Sequence, residues 1–311
     1  MRTVIIGGTG FIGQALARLL HDSGHQVVVP ARDPGRCGRM LPHGAVCVPW
    51  EPATPHARWV ALTDGADALV NLAGEGIAAR RWTPEQKQRI LGSRLDAGGA
   101  ATEAVRLVAH KPRVLIQASA IGYYGDRGDA MLDETAAPGT GFLADTAQAW
   151  EASTASVEAM GVRRAVIRTG VVLGAGGGAL ANFLTPFRLF AGGPLGPGTQ
   201  WMSWIHLHDQ CAAIAHLIHA PGASGVFNLT APEPVTMRGF CKELGAALRR
   251  PSWLPAPAFA LRLALGEMAD ELILASQRVV PARLRASGFT FTYPGLAQAL
   301  RQAVGRQRDA A

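Results

Sequence analysis

The chain enters a β-branched run at once, MRTVII, and passes directly into GGTGFIG. Glycines at 7, 10 and 13 then lead into FIGQALARLLHDSG, which carries apolar residues at helical spacing. Between a strand and a helix, such glycines permit a tight turn and close approach of the backbone to a ligand. The free N–H groups of the helix N-terminus can then hold a pyrophosphate. A glycine pattern alone is weak, but its position straight after the first strand and at the opening of the first helix is the context that gives it meaning. The stretch therefore predicts a βα unit and a dinucleotide site built from Gly7, Thr9, Gly10, Phe11, Ile12 and Gly13.

Short β-branched runs continue to alternate with longer helical patterns: QVVVPAR, AVCVPW, ALVNLAG, a long helix after Thr83-Pro84, RVLIQASA, a helical segment over 141–160, and RAVIRTGVVLG. This alternation specifies βαβ units, hence an α/β fold with a doubly wound parallel sheet covered by helices on both faces. Beyond it lie the Gly/Pro-rich LFAGGPLGPGTQ, the segment WIHLHDQCAAIAHLIHA, a strand-like GVFNLT, and helical patterns from Thr236 onward. Residues 1–175 are read as the nucleotide-binding domain. Residues 176–311 are read as a mixed region with a strand that returns to the sheet and a small C-terminal substrate lobe.

The end of the second strand discriminates between dinucleotides. An NAD site carries Asp or Glu there to hold the ribose 2′-OH, whereas this chain has Pro30-Ala31-Arg32. Arginine pairs bidentately with a 2′-phosphate, so Ala31 and Arg32 favour NADP(H). The alternative is that Arg32 faces solvent and Asp33 holds the ribose.

Of 311 residues, 48% are hydrophobic and 17% charged, and the net charge is +7. The positive balance is almost entirely arginine dispersed along the chain, since Lys87, Lys111 and Lys242 are the only lysines. No basic run is interleaved with aromatics, so a basic cleft for an anionic small molecule is favoured over nucleic acid. There is no apolar run of the ~18 residues a membrane span needs. Cys37, Cys47, Cys211 and Cys241 form no C-x-x-C pair and are read as small buried hydrophobes in a reducing cytoplasm. His206-x-His208 lacks a third ligand at metal-site spacing, so no metal is expected.

Taken together, GGTGFIG, VNLAGEGI, RRWTPEQKQRILGSR, SAIGYYG, WEAS, RTGVVLGAGGGAL, PFRLFAGGPLGPGTQWMSWIHLHD, NLTAPEPV and the GF-x-F-x-YP tail resemble an atypical extended short-chain dehydrogenase/reductase family, the nucleoside-diphosphate-sugar-epimerase-like "epimerase family" proteins. The resemblance runs from end to end. It implies an NADP(H)-binding Rossmann domain, a C-terminal substrate lobe, and a small polar or anionic, nucleotide-sugar-like substrate, with the assembly open to a homodimer. Cofactor contacts then extend to Leu72, Ala73 and Gly74 after the fourth strand and to Arg94 in GSR.

Short-chain dehydrogenases use Tyr-x-x-x-Lys on one helix, where the lysine lowers the tyrosine pKa. Here the tyrosines stand at 123, 124 and 293, and four residues on lie Arg127, Gly128 and Ala297. Spacing back from RTGVVLG puts Leu143 and Ala147 roughly where the pair would be. Ser119, after RVLIQA, matches the serine that orients the substrate oxygen. Tyr124 or Tyr123 in the adjoining glycine-flanked loop would supply the proton, with Tyr124 preferred; alternatively both are pocket wall. Trp201, Trp204 and His206 are candidates for substrate contact, or for packing between lobes. The reading is an NADP(H)-dependent oxidoreductase or epimerase-type enzyme. Its competitor is a non-catalytic NADP(H)-binding regulatory protein, linked in some relatives' names to cell division.

Overall fold

A computed structural model describes residues 1–50 and 58–305. Seven strands form one sheet: β1 (Arg2–Ile6), β2 (Gln26–Ala31), β3 (Val46–Pro49), β4 (Ala68–Asn71), β5 (Val114–Ala120), β6 (Arg163–Thr169) and β7 (Gly225–Leu229). Every neighbouring pair is parallel, in the order β7-β6-β5-β4-β1-β2-β3. Each is one of the β-branched runs picked out in the sequence. The order reverses between β1 and β4, and in open parallel sheets ligands bind outside the strand ends at such a reversal.

The helices up to Leu248 are α1 (Phe11–Asp22), α2 (Pro34–Met40), α3 (Arg58–Thr63), α4 (Pro84–Leu107), α5 (Phe142–Ala152), α6 (Gly178–Arg188), α7 (Leu207–His219) and α8 (Met237–Leu248), and shorter ones follow in the C-terminal part. Alternate residues of each strand face opposite layers. Ile5, Val27 and Val29 pack with Leu16 and Leu20 of α1 and Ile214 and Leu217 of α7. Val4, Ile6 and Val28 pack with Trp59 of α3 and Ala97, Ala101 and Val105 of α4. This is the doubly wound arrangement expected, each large apolar side chain contributing about 1.5–3 kcal/mol by burial.

Helix boundaries follow local chemistry. The Thr83 hydroxyl accepts from Gln86 N at 3.2 Å and Pro84 opens α4. Further along α4, a Cβ on Gly98 would lie 1.9 Å from Ser153 Oγ, so the chain after α5 crosses α4 at a glycine. There the helical segment read over 141–160 divides: α5 ends at Ala152, Ser153 Oγ donates to Trp150 O at 2.7 Å, and the chain resumes as a tighter 3₁₀ turn over Ala155–Met160.

A third core holds Leu180 and Phe187 of α6, Trp204, Phe240 and Leu244 of α8, and Leu296 and Leu300 of the C-terminal helix Leu296–Gly305. The tail joins the sheet layers through Asp209, in the first turn of α7 and fully buried. Its carboxylate accepts from Thr292 N at 3.0 Å and Tyr293 N at 2.8 Å.

The cysteine reading needs correction for one pair. α2 packs beside β3, bringing the Cα atoms of Cys37 and Cys47 to 6.1 Å, and the two form a disulfide. Cys211 and Cys241 are free and buried, and burial pushes both thiols up to about 12. Among the described residues no helix is long and apolar enough to cross a membrane.

Candidate functional site: a glycine turn and a buried Ser-Glu-Arg-Tyr network

Gly7, at φ +82°, is a position where only glycine fits. A Cβ there would meet Ala73 N at 2.8 Å and the Leu72 carbonyl carbon at 2.9 Å, so the loop after β4 runs directly against the turn after β1. Gly13 is closed in the same way, with a Cβ 2.3 Å from Gly7 O. Gly10 differs: it is exposed, and a Cβ would meet only Gly7 O, at 3.3 Å. It caps α1 without a side-chain hydrogen bond, which leaves the first-turn N–H groups facing outward. This cradle fits a pyrophosphate, the open glycine standing where a side chain would obstruct the anion.

Thr9 O accepts from Gln14 Nε2 at 2.9 Å, fixing the turn from inside. Ile12 packs partly buried on the α1 face of the sheet. Phe11 contributes its backbone alone to the turn. Its ring lies over Gly174, Gly177 and Gly178, where added Cβ atoms would fall 2.7–3.1 Å from ring carbons. At the end of β2, Ala31 is buried while Arg32 and Asp33 are exposed. Asp33 Oδ1 accepts from Arg36 N at 2.9 Å to cap α2, an occupation that weighs against the ribose-binding alternative.

Arg94 is buried beneath the β4 loop. Its Nη1 donates to Glu75 O at 3.0 Å and Ile90 O at 2.8 Å, and the guanidinium lies against Gly74 and 4.8 Å from the Trp150 ring. Burial lowers its pKa to about 10, opposed by Glu75, so it stays charged at neutral pH.

Ser119 ends up in a connected polar network. Its Oγ donates to Glu151 Oε1 at 2.7 Å. Arg168 clasps the same carboxylate through Nε at 2.8 Å and Nη2 at 2.9 Å, and its Nη1 donates to the Tyr124 hydroxyl at 3.1 Å. Tyr124 in turn donates to Asn228 Oδ1 at 2.7 Å. Burial opposes the Arg168 charge, but the hydrogen bonds to Glu151 and Tyr124 outweigh it and raise the pKa. Burial raises the Tyr124 pKa despite the hydrogen bond from Arg168.

The two tyrosines part company here. Tyr124 is fully buried with its hydroxyl committed inward, which weighs against it as the proton donor and makes it part of the packed network. Tyr123 is partly exposed, the Arg168 guanidinium stacks 3.3 Å from its ring centre, and its hydroxyl has no protein partner among the described residues. On α5, Leu143, Ala147 and Glu151 fall at i, i+4 and i+8, one face of the helix. Leu143 lies against Gly122 and Ala147 is buried, so both positions present carbon, with the buried Thr146 hydroxyl beside them and Glu151 one turn further on.

Glu151, Arg168 and Asn228 were not singled out by sequence reasoning. The first two lie in the segments WEAS and RTGVVLG, on a helix and a strand, and no spacing rule links them. Strand register does bring Arg168 level with Ser119.

Trp204 and His206 lie in packing, which favours the second of the two alternatives held for them. Trp204 is 1% exposed and its Nε1 donates to Glu233 O. His206 is 3% exposed; its Nε2 bonds Gln302 Oε1 at 2.8 Å, its Nδ1 accepts from His208 N, and its ring centre lies 4.0 Å from that of Tyr293. The C-terminal tail closes over both residues. Trp201 is partly exposed, with Nε1 on Asp129 Oδ1 and Arg278 over its ring at 4.2 Å.

Comparison with known proteins places this geometry. Residues 3–230 match the model of the NAD dependent epimerase/dehydratase family, and residues 256–303 match a domain of unknown function, DUF1731. Epimerase family protein YfhF of Bacillus subtilis is 39% identical over 311 residues, covering 99% of both chains. The chloroplastic SDR39U1 homolog of Arabidopsis thaliana is 40% identical over 97% of this chain and 86% of its own length. The crystal structure of human epimerase family protein SDR39U1 with NADPH aligns with TM-score 0.85 at 33% identity, over 98% of this chain and 99% of that one. Matched along nearly its whole length by such relatives, and over its sheet by the family model, the chain belongs to the NAD dependent epimerase/dehydratase family.

Proposed function

We propose that this protein is an NADP(H)-dependent oxidoreductase or epimerase-type enzyme acting on a small polar, nucleotide-sugar-like substrate. The observation that carries the reading is the open cradle at Gly10, bounded by the closed glycines Gly7 and Gly13, with Arg32 exposed at the end of β2 and Ser119 at the end of β5. Human SDR39U1, crystallised with NADPH, supports the choice of cofactor. With its pyrophosphate in the cradle, the cofactor would supply or accept a hydride at its nicotinamide. Gly7, Gly10 and Gly13 hold the pyrophosphate, Arg32 reads the 2′-phosphate, and Arg94 fixes the loop of Ala73 and Gly74 against the turn. Ser119 spends its only proton on Glu151, so toward a ligand it offers lone pairs and accepts from a substrate hydroxyl. Tyr123, with its hydroxyl uncommitted, is the phenol available to the crevice.

The carbon face at Leu143 and Ala147 favours the second reading, an NADP(H)-binding regulatory protein in which the nucleotide is sensed and not turned over. Fluorescence titration with NADPH and NADH, followed by a hydride-transfer screen on sugar nucleotides, separates the two. NADPH should bind more tightly, by about 1.5–3 kcal/mol for a charge-assisted contact, and Arg32→Asp should reverse the order. Equal affinities in the wild type would refute the cofactor assignment. Tight NADPH binding with no turnover that depends on Ser119 would favour the regulatory reading.

A further inference from the structure

Directly beside Arg32 lies a helix with little to hold it. α2 reads PGRCGRM, seven residues with a proline, two glycines and Cys37 as its one buried side chain. Glycine and proline are the poorest helix formers, and isolated helices this short do not persist in water. It is held by the Asp33 cap at its start, by Met40 O accepting from Arg18 Nη2 at 3.1 Å in an exposed hydrogen bond, and by Leu41, buried just past its end; its one covalent tie is the Cys37–Cys47 disulfide to β3. The far end of that disulfide is well anchored. Cys47 is the register partner of Val29, and both Val29 methyl groups lie 2.7 Å from where a Gly8 Cβ would stand. Two residues beyond Val29 the strand reaches Ala31, then Arg32, then the cap of α2. Glycine turn, Arg32 and disulfide are thus one continuous packed unit.

We propose that Cys37–Cys47 is a redox site, read by dithiol reductants, that sets the affinity for the 2′-phosphate of NADP(H); the proposal rests on the NADP(H) reading above. Cys37 is fully buried and Cys47 partly exposed, so an incoming thiolate attacks Cys47 Sγ. A sulfur–sulfur bond forms to Cys47, the Cys37–Cys47 bond breaks, and Cys37 leaves as a thiolate that takes up a proton. The second thiol of the reductant, as its thiolate, then displaces Cys47, which is also protonated, and the reductant departs as a cyclic disulfide. The protein gains two electrons and two protons, and the dithiol loses the same. Cys211 and Cys241 do not compete, because burial holds both as inert thiols. Once reduced, α2 loses its covalent tie to β3 and keeps its cap, the exposed Arg18–Met40 O bond and the buried side chains of Cys37 and Leu41. Arg32 loses its fixed neighbour and the 2′-phosphate contact weakens, while the glycine cradle that NADH also uses is untouched.

The test uses the full chain. NADPH and NADH are titrated by fluorescence before and after treatment with dithiothreitol, with free thiols counted under denaturing conditions, and the titrations are repeated on Cys47→Ser. Reduction should release two thiols and weaken NADPH binding about tenfold, the size of one charge-assisted hydrogen bond, and reoxidation should restore it. NADH affinity should change by less than about twofold, well under the tenfold step of a single contact. Cys47→Ser should behave as the permanently reduced form; circular dichroism checks its fold, and if it misfolds the dithiothreitol arm decides. Unchanged NADPH affinity after both thiols appear would overturn the redox site and leave the cofactor reading standing, as would four free thiols before any reductant is added. Absence of NADPH binding in both states would overturn the cofactor reading itself.

Discussion

Glu151→Gln is the substitution whose cost the structure defines best. The carboxylate accepts three hydrogen bonds, from Ser119 Oγ and from Nε and Nη2 of Arg168. Glutamine keeps the shape but replaces one acceptor oxygen with a donor facing a guanidinium N–H, and leaves the Arg168 charge without its counter-ion. The Arg168 side chain is 4% exposed and that of Glu151 14%. Breaking a buried pair from one side costs about 3–5 kcal/mol, and the partial exposure of Glu151 puts this case near ~3. In a chain of this size ~2 °C of Tm follows each kcal/mol, so the expected drop is about 6 °C. Glu158→Gln is the control: its pair with Arg164 is 2.9 Å long but Glu158 is 53% exposed, and such pairs contribute about 0–1 kcal/mol. Urea unfolding and thermal scans at pH 7 measure both. The double replacement Glu151→Leu with Arg168→Met should recover much of the loss, since it removes both charges. A Glu151→Gln protein unfolding within ~0.5 kcal/mol of wild type, which is the range of an ordinary surface substitution, would refute the account of a buried, mutually dependent pair.

Gly13→Ala should destabilise the fold and abolish NADPH binding, because its Cβ would lie 2.3 Å from Gly7 O, whereas Gly10→Ala should unfold like wild type yet bind NADPH more weakly; denaturation and titration on the same samples check both. Tyr124→Phe should cost about 1–2 kcal/mol for the stranded Asn228 and Arg168 partners, while Tyr123→Phe should leave stability unchanged and slow any hydride transfer found. Burial lowers the His25 pKa, with His219 and the N-terminus adding to it, so the unfolded chain takes up this proton first. Stability should therefore fall as pH drops below about 6.5, and His25→Gln should flatten that part of the profile in urea unfolding at pH 7.5 and 5.5.

The sheet was legible because its strands are buried on both faces and read as unbroken β-branched runs such as QVVVPA and AVIRT. The glycine turn was legible because closeness in space there is closeness in sequence. Neither condition holds for the Ser119–Glu151–Arg168–Tyr124–Asn228 network, whose members come from β5, α5, β6, a 3₁₀ turn and β7. Only the register of the sheet sets Arg168 beside Ser119, and nothing local announces it. The neighbouring tyrosines look equivalent in sequence, yet the turn Ile121–Tyr124 sends one ring into the core and leaves the other at its edge. The Cys37–Cys47 disulfide was hidden for the same reason: a spacing of 10 residues becomes a bond only once α2 folds back on β3.

The regions matched by the two family models, 3–230 and 256–303, share one buried carboxylate. Asp209 belongs to the first, and the backbone donors that satisfy it, Thr292 and Tyr293, belong to the second. Cutting between them takes both backbone donors from Asp209 and strips Leu296 and Leu300 from Phe187 and Trp204. A gene rearrangement that parted the two halves would deliver a product unable to close, and a tail grafted onto a foreign dinucleotide domain would find its seat only where an acid already waited in the first turn of the matching helix. As heritable material the two regions are a single module, joined where the chain folds and not where it is contiguous.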